Sequence, residues 1–230
     1  MELIIIMIVI SILAILTVSL MMKMNVKELE KIALDSELNE IADKYPSNIE
    51  ICKTILKKLK NEKVEIEENL ESESTIYIAI SNKISIGNMH KSFTRIQTIA
   101  HECLHSVQDR KMLIFNFIYS NLYLLYFVIT TILLILNKLP NEIFFTCILL
   151  ILSFVYYVVR IFLENDAMIK AEYLAKEYMI EQEISSKEEI EKVVQGFKKI
   201  NDGCIKGTNA QIFVNIMIKV TLFNALALIF

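Results

Sequence analysis

Apolar runs of membrane-crossing length constrain this chain more than any other feature. Leu3 to Met22 and Met112 to Leu136 contain no charged residue, and Ile143 to Ile161 contains only Arg160. A helix crosses a bilayer core with about 20 such residues. A fourth stretch, Ile212 to Phe230, is interrupted by Asn215, Lys219 and Asn224, so it either spans a bilayer or lies along its surface. The chain is 54% hydrophobic with mean hydropathy +0.47, yet 22% of its residues are charged, so the charges must be segregated from the apolar runs. Four glycines and two prolines leave long helices unbroken. A net charge of -3 argues against a nucleic-acid partner. The first run has no basic residue before it and no small-x-small pattern closing it, which predicts an uncleaved anchor rather than a signal peptide.

The expected class is a mainly α membrane protein with an α+β portion, carrying three to four transmembrane helices. Residues 1–22 are the anchor, and 23–111, which carry His101-Glu102-Cys103-Leu104-His105, form a polar domain expected to be zincin-like. Residues 112–161 form a transmembrane helical hairpin, 162–211 a charged helical region, and 212–230 a C-terminal hydrophobic helix. Within the polar domain, 26–43 and 47–61 show helical apolar spacing, as in Ile49, Cys52, Leu56 and Leu59. Val64–Glu67, Thr75–Ile80 and Lys83–Gly87 read as strands, with Ser81-Asn82 as a hairpin turn. A helix is expected to start near Ser92 as N-cap.

That helix holds His101-Glu102-Cys103-Leu104-His105. Histidines four apart share one helical face and can grip one metal ion, while the adjacent carboxylate can take a proton from water that the ion has acidified. Glu102 would then pass that proton to a leaving amine. One stripe of the helix is Ile96, Ala100, Cys103 and Val107, a core face. Another is Gln97, His101, His105 and Gln108, a polar face suited to bounding a cleft. Cys103 is expected in the core, and the four cysteines as unpaired thiols.

A catalytic zinc site takes three protein ligands. No histidine follows His105, so the third must be Asp or Glu. Glu164, directly after the third apolar run, is the leading choice, with Glu172 as the fallback and Asp166 as a support for one of the histidines. Ala167, Ala171 and Ala175 form a small-residue stripe that lets two helices approach closely. His90 reads as a surface loop residue, with a further ligand or a transition-state donor as the alternatives. Asn116 and Asn121 are expected to bond across membrane helices.

The short link Asn137–Glu142 makes a tight hairpin, which puts 23–111 and 162–211 on one side of the membrane. Lys23, Lys27, Lys31, Arg110, Lys111 and Arg160 flank that side, against Lys138 alone at the hairpin tip. The positive-inside rule then predicts a multi-pass cell-membrane protein with its polar domain in the cytoplasm.

These residues resemble the YugP-like neutral zinc metallopeptidases of bacterial membranes. That family places a serine nine residues before the first zinc histidine, then His-Glu-x-Gly-His-x-x-Gln, two membrane helices and Glu-x-Asp-Ala. Here Ser92, His101 to Gln108 and Glu164-Asn165-Asp166-Ala167 take those places, with Leu104 where the family has glycine. The resemblance implies His101, His105 and Glu164 as ligands of Zn2+ and Glu102 as catalytic base. The chain is also similar to HtpX-type membrane peptidases, except that Met168 stands where they carry an aspartate. The expected function is an integral-membrane zinc metallopeptidase acting on protein or peptide substrates. The alternatives are a catalytically weak metal-binding membrane protein that recruits partners, and a metal-free helical scaffold.

Overall fold

The structure, a computed structural model, describes residues 1–22, 26–89 and 92–230. His90 therefore lies outside the described residues. Helices dominate: α1 (Glu2–Met21), α2 (Val26–Ala33), α3 (Ser36–Asp43), α4 (Asn48–Lys58), α5 (Arg95–Val107), α6 (Arg110–Ile135), α7 (Glu142–Gln182) and α8 (Lys187–Ala227). A small sheet is made by β1 (Glu65–Asn69), β2 (Ile76–Ile78) and β3 (Lys83–Gly87). The chain divides into two compact units.

One unit comprises Met1–Met24, Phe115–Phe162 and Lys206–Phe230. The four helices α1, α6, α7 and α8 are long and apolar enough to cross a membrane, and all contribute to this unit. Its buried residues include Tyr123, Leu134, Leu149, Val220 and Phe223. Phe117, Leu125, Ile151 and Phe154 face outward, an apolar surface that suits a hydrocarbon solvent. Polar atoms bond between helices: Thr146 Oγ1 donates to Asn224 Oδ1 at 3.2 Å, and the Tyr126 hydroxyl to the Phe145 carbonyl at 3.0 Å. The expectation for the two asparagines of α6 was different. Asn121 donates to the Phe117 carbonyl of its own helix, and Asn116 Oδ1 has no hydrogen-bond partner among the described residues. A backbone carbonyl one turn back is the nearest acceptor a short amide can reach.

The other unit comprises Asn25–Ile114 and Leu163–Ile205. The region 26–43, read as one helical stretch, breaks in two because Asp35 caps α3, accepting from the Glu37 and Leu38 N–H groups at 3.0 and 3.2 Å. Ser47 and Glu50 close a capping box at the start of α4. Asn82 takes φ 52° in the β2–β3 hairpin, a conformation that asparagine tolerates. β2 pairs antiparallel with β3, β1 pairs parallel with β3, and the order is β1-β3-β2. As the central strand, β3 buries both faces at Ile84, Ser85 and Ile86.

The core of this unit joins Ile51 and Ile55 of α4, Ile84 and Ile86 of β3, Ile96, Ile99 and Ala100 of α5, and Val193 and Phe197 of α8. Each of these isoleucine, valine and phenylalanine side chains contributes about 1.5–3 kcal/mol on full burial. Phe93 stacks on Phe197 with centroids 5.7 Å apart. The Arg95 guanidinium is buried and donates to the carbonyls of Pro46, Ala42 and Tyr45 and to Asn48 Oδ1, all at 2.8–2.9 Å. It thus ties the α3–α4 connection to the first turn of α5. The alanines Ala167, Ala171 and Ala175 of α7 are fully buried in this core, as expected of a close-approach stripe. The charged stretch after Leu163 is broken by a turn at 183–186, where Glu183 takes φ 53°. Ser186 and Glu189 then restart α8 with reciprocal backbone bonds at 2.8 and 3.2 Å.

Candidate metal centre

α5 begins at Arg95, three residues after the expected cap. Ser92 instead bonds Thr94, its Oγ 2.7 Å from Thr94 Oγ1, and shapes the turn ahead of the helix. From there the helical period works as read for one face: Ile96, Ala100 and Cys103 are buried, although Val107, at the helix end, is exposed. Cys103 packs with its Sγ 3.6 Å from that of Cys52 on α4, and all four cysteines are free thiols.

On the other face, His101 and His105 present Nε2 atoms 3.0 Å apart. Glu164 of α7 brings Oε2 to 3.6 Å from His101 Nε2 and 3.7 Å from His105 Nε2. These three residues form a group that could hold a metal ion, with ligand atoms within 4.8 Å of one another. A tetrahedral ion bonded at about 2.0–2.1 Å requires donors roughly 3.3 Å apart. The observed separations bracket that value, so the residues fit an ion. The fallback Glu172 is not in the group; the charged and polar groups that act on it are Lys198, Asp202, Lys176 and Asn201.

The protonation of the rings sharpens the fit. His105 Nδ1 lies 2.8 Å from Gln108 Oε1, an acceptor, so Nδ1 carries the hydrogen and donates it. Nε2 of His105 is then left to meet His101 Nε2 and the Glu164 carboxylate. The lone pair of His105 Nε2 and the Glu164 Oε2 atom thus converge beside His101 Nε2, where a proton or a metal cation can join them. Burial pushes the His105 imidazolium down, but Glu164, Glu102 and Gln108 outweigh it, and its pKa sits above the ordinary value.

Gln108 carries the expectation for Asp166 further than sequence reasoning took it. Its Nε2 donates to the Leu163 carbonyl at 2.9 Å and to Asp166 Oδ2 at 3.1 Å. Asp166 therefore supports His105 at one remove, through Gln108, and Lys170 holds its other oxygen at 2.6 Å. Burial raises the Asp166 pKa, but Lys170 and Gln108 win and bring it below the ordinary value. Gln108 was legible as a member of the polar stripe and as the closing glutamine of the resembled pattern, but not as a partner of His105.

Glu102 is buried beside the group, with Oε1 3.8 Å from His101 Nε2. Its Oε2 accepts the backbone N–H of Tyr77 on β2 at 2.6 Å. Burial raises its pKa; the two histidines and the Tyr77 N–H pull it back only in part, and Glu164 adds to the rise. A carboxylate with one oxygen directed at the histidine pair is placed to exchange a proton with a group bound between them. Leu104 is buried in the core of this unit.

Beside His101 lies a cavity of about 240 Å³ between α5, α7 and α8, with Gln97 and Thr98 on one wall and Met168 and Ala171 on another. The chain matches no family model, no curated protein and no solved structure.

Proposed function

We propose that this chain is a membrane-embedded, zinc-dependent peptidase. The observation that carries the reading is the convergence of two imidazole nitrogens and one carboxylate oxygen beside a buried second carboxylate. Two histidines and a glutamate are a donor set that suits zinc in hydrolytic sites. When bound, the ion supplies Lewis acidity, polarising a peptide carbonyl and acidifying water at neutral pH. His101, His105 and Glu164 would hold it.

The chain's own residues do the rest. Gln108 fixes His105 with its hydrogen on Nδ1, keeping Nε2 as a donor of its lone pair. Glu102 Oε1 faces the histidines and takes the proton from the attacking water, then returns it to the leaving amine. Burial keeps bulk water from competing for that proton. Four helices long and apolar enough to cross a membrane support a bilayer setting, in which the substrate would be a protein or peptide at the membrane.

A second reading, a metal-binding protein without turnover, draws on the Tyr77 N–H that already occupies one oxygen of Glu102. One experiment separates the two. Protein purified in lipid nanodiscs is assayed for zinc by mass spectrometry and for cleavage of unfolded protein substrates. We expect zinc near one per chain in wild type and in Glu102→Gln, with hydrolysis about 10²–10⁴-fold slower in the variant, and zinc lost in Glu164→Ala. Equal hydrolysis by wild type and Glu102→Gln would overturn the peptidase reading. Zinc retained in full by Glu164→Ala would overturn the ligand set.

A further inference from the structure

The cavity beside His101 has a composition that says what it takes. No carboxylate, ammonium or guanidinium lines it. Met168 and Ala171 are part of its apolar lining, and Thr94, Gln97, Thr98 and Asn201 are its uncharged polar lining beside the histidine. Gln97 is only 7% exposed, and among the described residues its amide has no hydrogen-bond partner. That amide is not among the side-chain groups cut off from solvent, so it is open to a ligand that enters the cavity. Gln97 is also one helical turn before His101, so whatever meets its amide lies next to the metal group.

The volume narrows the occupant. At about 240 Å³ the cavity falls below the roughly 300–1,000 Å³ of sites that enclose a whole small molecule, so it suits one side chain of a longer ligand. A charged side chain would leave water with no counter-charge to meet it. An aliphatic one would leave Gln97 unpaired. A carboxamide offers both a donor and an acceptor, as Gln97 does.

We propose that this cavity is a specificity pocket for an uncharged carboxamide side chain, glutamine or asparagine, of a peptide substrate, and that Gln97 selects it. The proposal rests on the peptidase reading and deepens it. Cys204 of α8 also lines the cavity and is exposed, which makes it a covalent reporter of occupancy.

The test uses full-length, zinc-loaded protein in nanodiscs and a library of blocked octapeptides, with cleavage read by mass spectrometry. Wild type should favour glutamine or asparagine over leucine by about tenfold at one fixed position from the cut bond, the scale of one hydrogen bond made or left unmade. Gln97→Leu should reverse that preference toward leucine, and Gln97→Glu should shift it toward lysine. A preference that is the same in all three proteins overturns the proposal while leaving the peptidase reading intact. If nothing is cleaved, the peptidase reading fails, and occupancy decides the pocket separately. In the folded Glu102→Gln protein, glutamine-bearing octapeptides should slow maleimide labelling of Cys204 more than leucine- or lysine-bearing ones. Equal labelling rates with all three would sink the pocket as well.

Discussion

Replacing Gln108 with leucine isolates the support of the metal group from the group itself. The side chain keeps its bulk, and the three candidate ligands stay. What goes is the acceptor 2.8 Å from His105 Nδ1 and the donor to Leu163 and Asp166 at 2.9 and 3.1 Å. Asp166 keeps Lys170 at 2.6 Å, so no charge is stranded and the loss stays local. The His105 ring is then free to rotate or to place its hydrogen on Nε2, and either removes a lone pair from the group. Loss of such an outer partner weakens metal binding by about 10–100-fold, or roughly 1.4–2.7 kcal/mol. Asp166→Asn leaves the bond to His105 in place and should weaken binding by less than about tenfold. Competition for zinc against a chromophoric chelator, with circular dichroism to confirm folding, measures both. A folded Gln108→Leu protein that binds zinc within about twofold of wild type would refute the role assigned to Gln108.

Two further outcomes follow from geometry outside the metal group. Gly87→Ala would put a Cβ 2.7 Å from the Ser74 carbonyl oxygen and 2.8 Å from that of Ser72, both main-chain atoms that cannot swing aside. We expect destabilisation by about 1–3 kcal/mol and a thermal midpoint lower by roughly 2–10 °C; an unchanged midpoint would mean the 72–74 loop moves freely. Lys44 first, then the Ser186 N–H and hydroxyl, hold the Glu189 carboxyl down to about 2 from an ordinary 4.5. Because the folded value is the lower one, this contribution is complete above about pH 4.5 and fades as the pH falls toward about 2. Denaturant midpoints across that acid range should show less loss in Glu189→Gln than in wild type, and parallel curves would remove Glu189 from the account.

The parts legible in sequence share a cause: each depends on a period or a spacing. The faces of α5 follow from a helical repeat, the β2–β3 hairpin from alternation around Ser81-Asn82, and the long apolar helices from run length. Meeting of His101, His105 and Glu164 could be expected because no histidine follows His105 and because Glu164 directly follows an apolar run. What stayed hidden depends on partners far apart in the chain. The parallel pairing of β1 with β3 is set by burial of both faces of β3, which no local pattern reveals. Gln108 has no periodic signature of its role, since its bonds to Leu163 and Asp166 exist only once α5 meets α7. The breaks at Asp35 and at 183–186 were written as short capping signals, Asp35 ahead of α3 and Ser186 with Glu189 ahead of α8. They were outweighed there by the continuous helical spacing around them.

Glu102 divides its two oxygens between different duties. One is spent on the main chain of Tyr77 and anchors the edge strand to the motif helix, while the other looks toward His101. A single substitution therefore touches architecture and chemistry together. Glutamine retains a carbonyl oxygen that the Tyr77 amide can use; alanine retains nothing and unhooks the strand. An inactive Glu102→Ala protein would thus say little about proton transfer, and a comparison of the two variants would measure how far the sheet depends on Glu102 apart from the chemistry proposed for it.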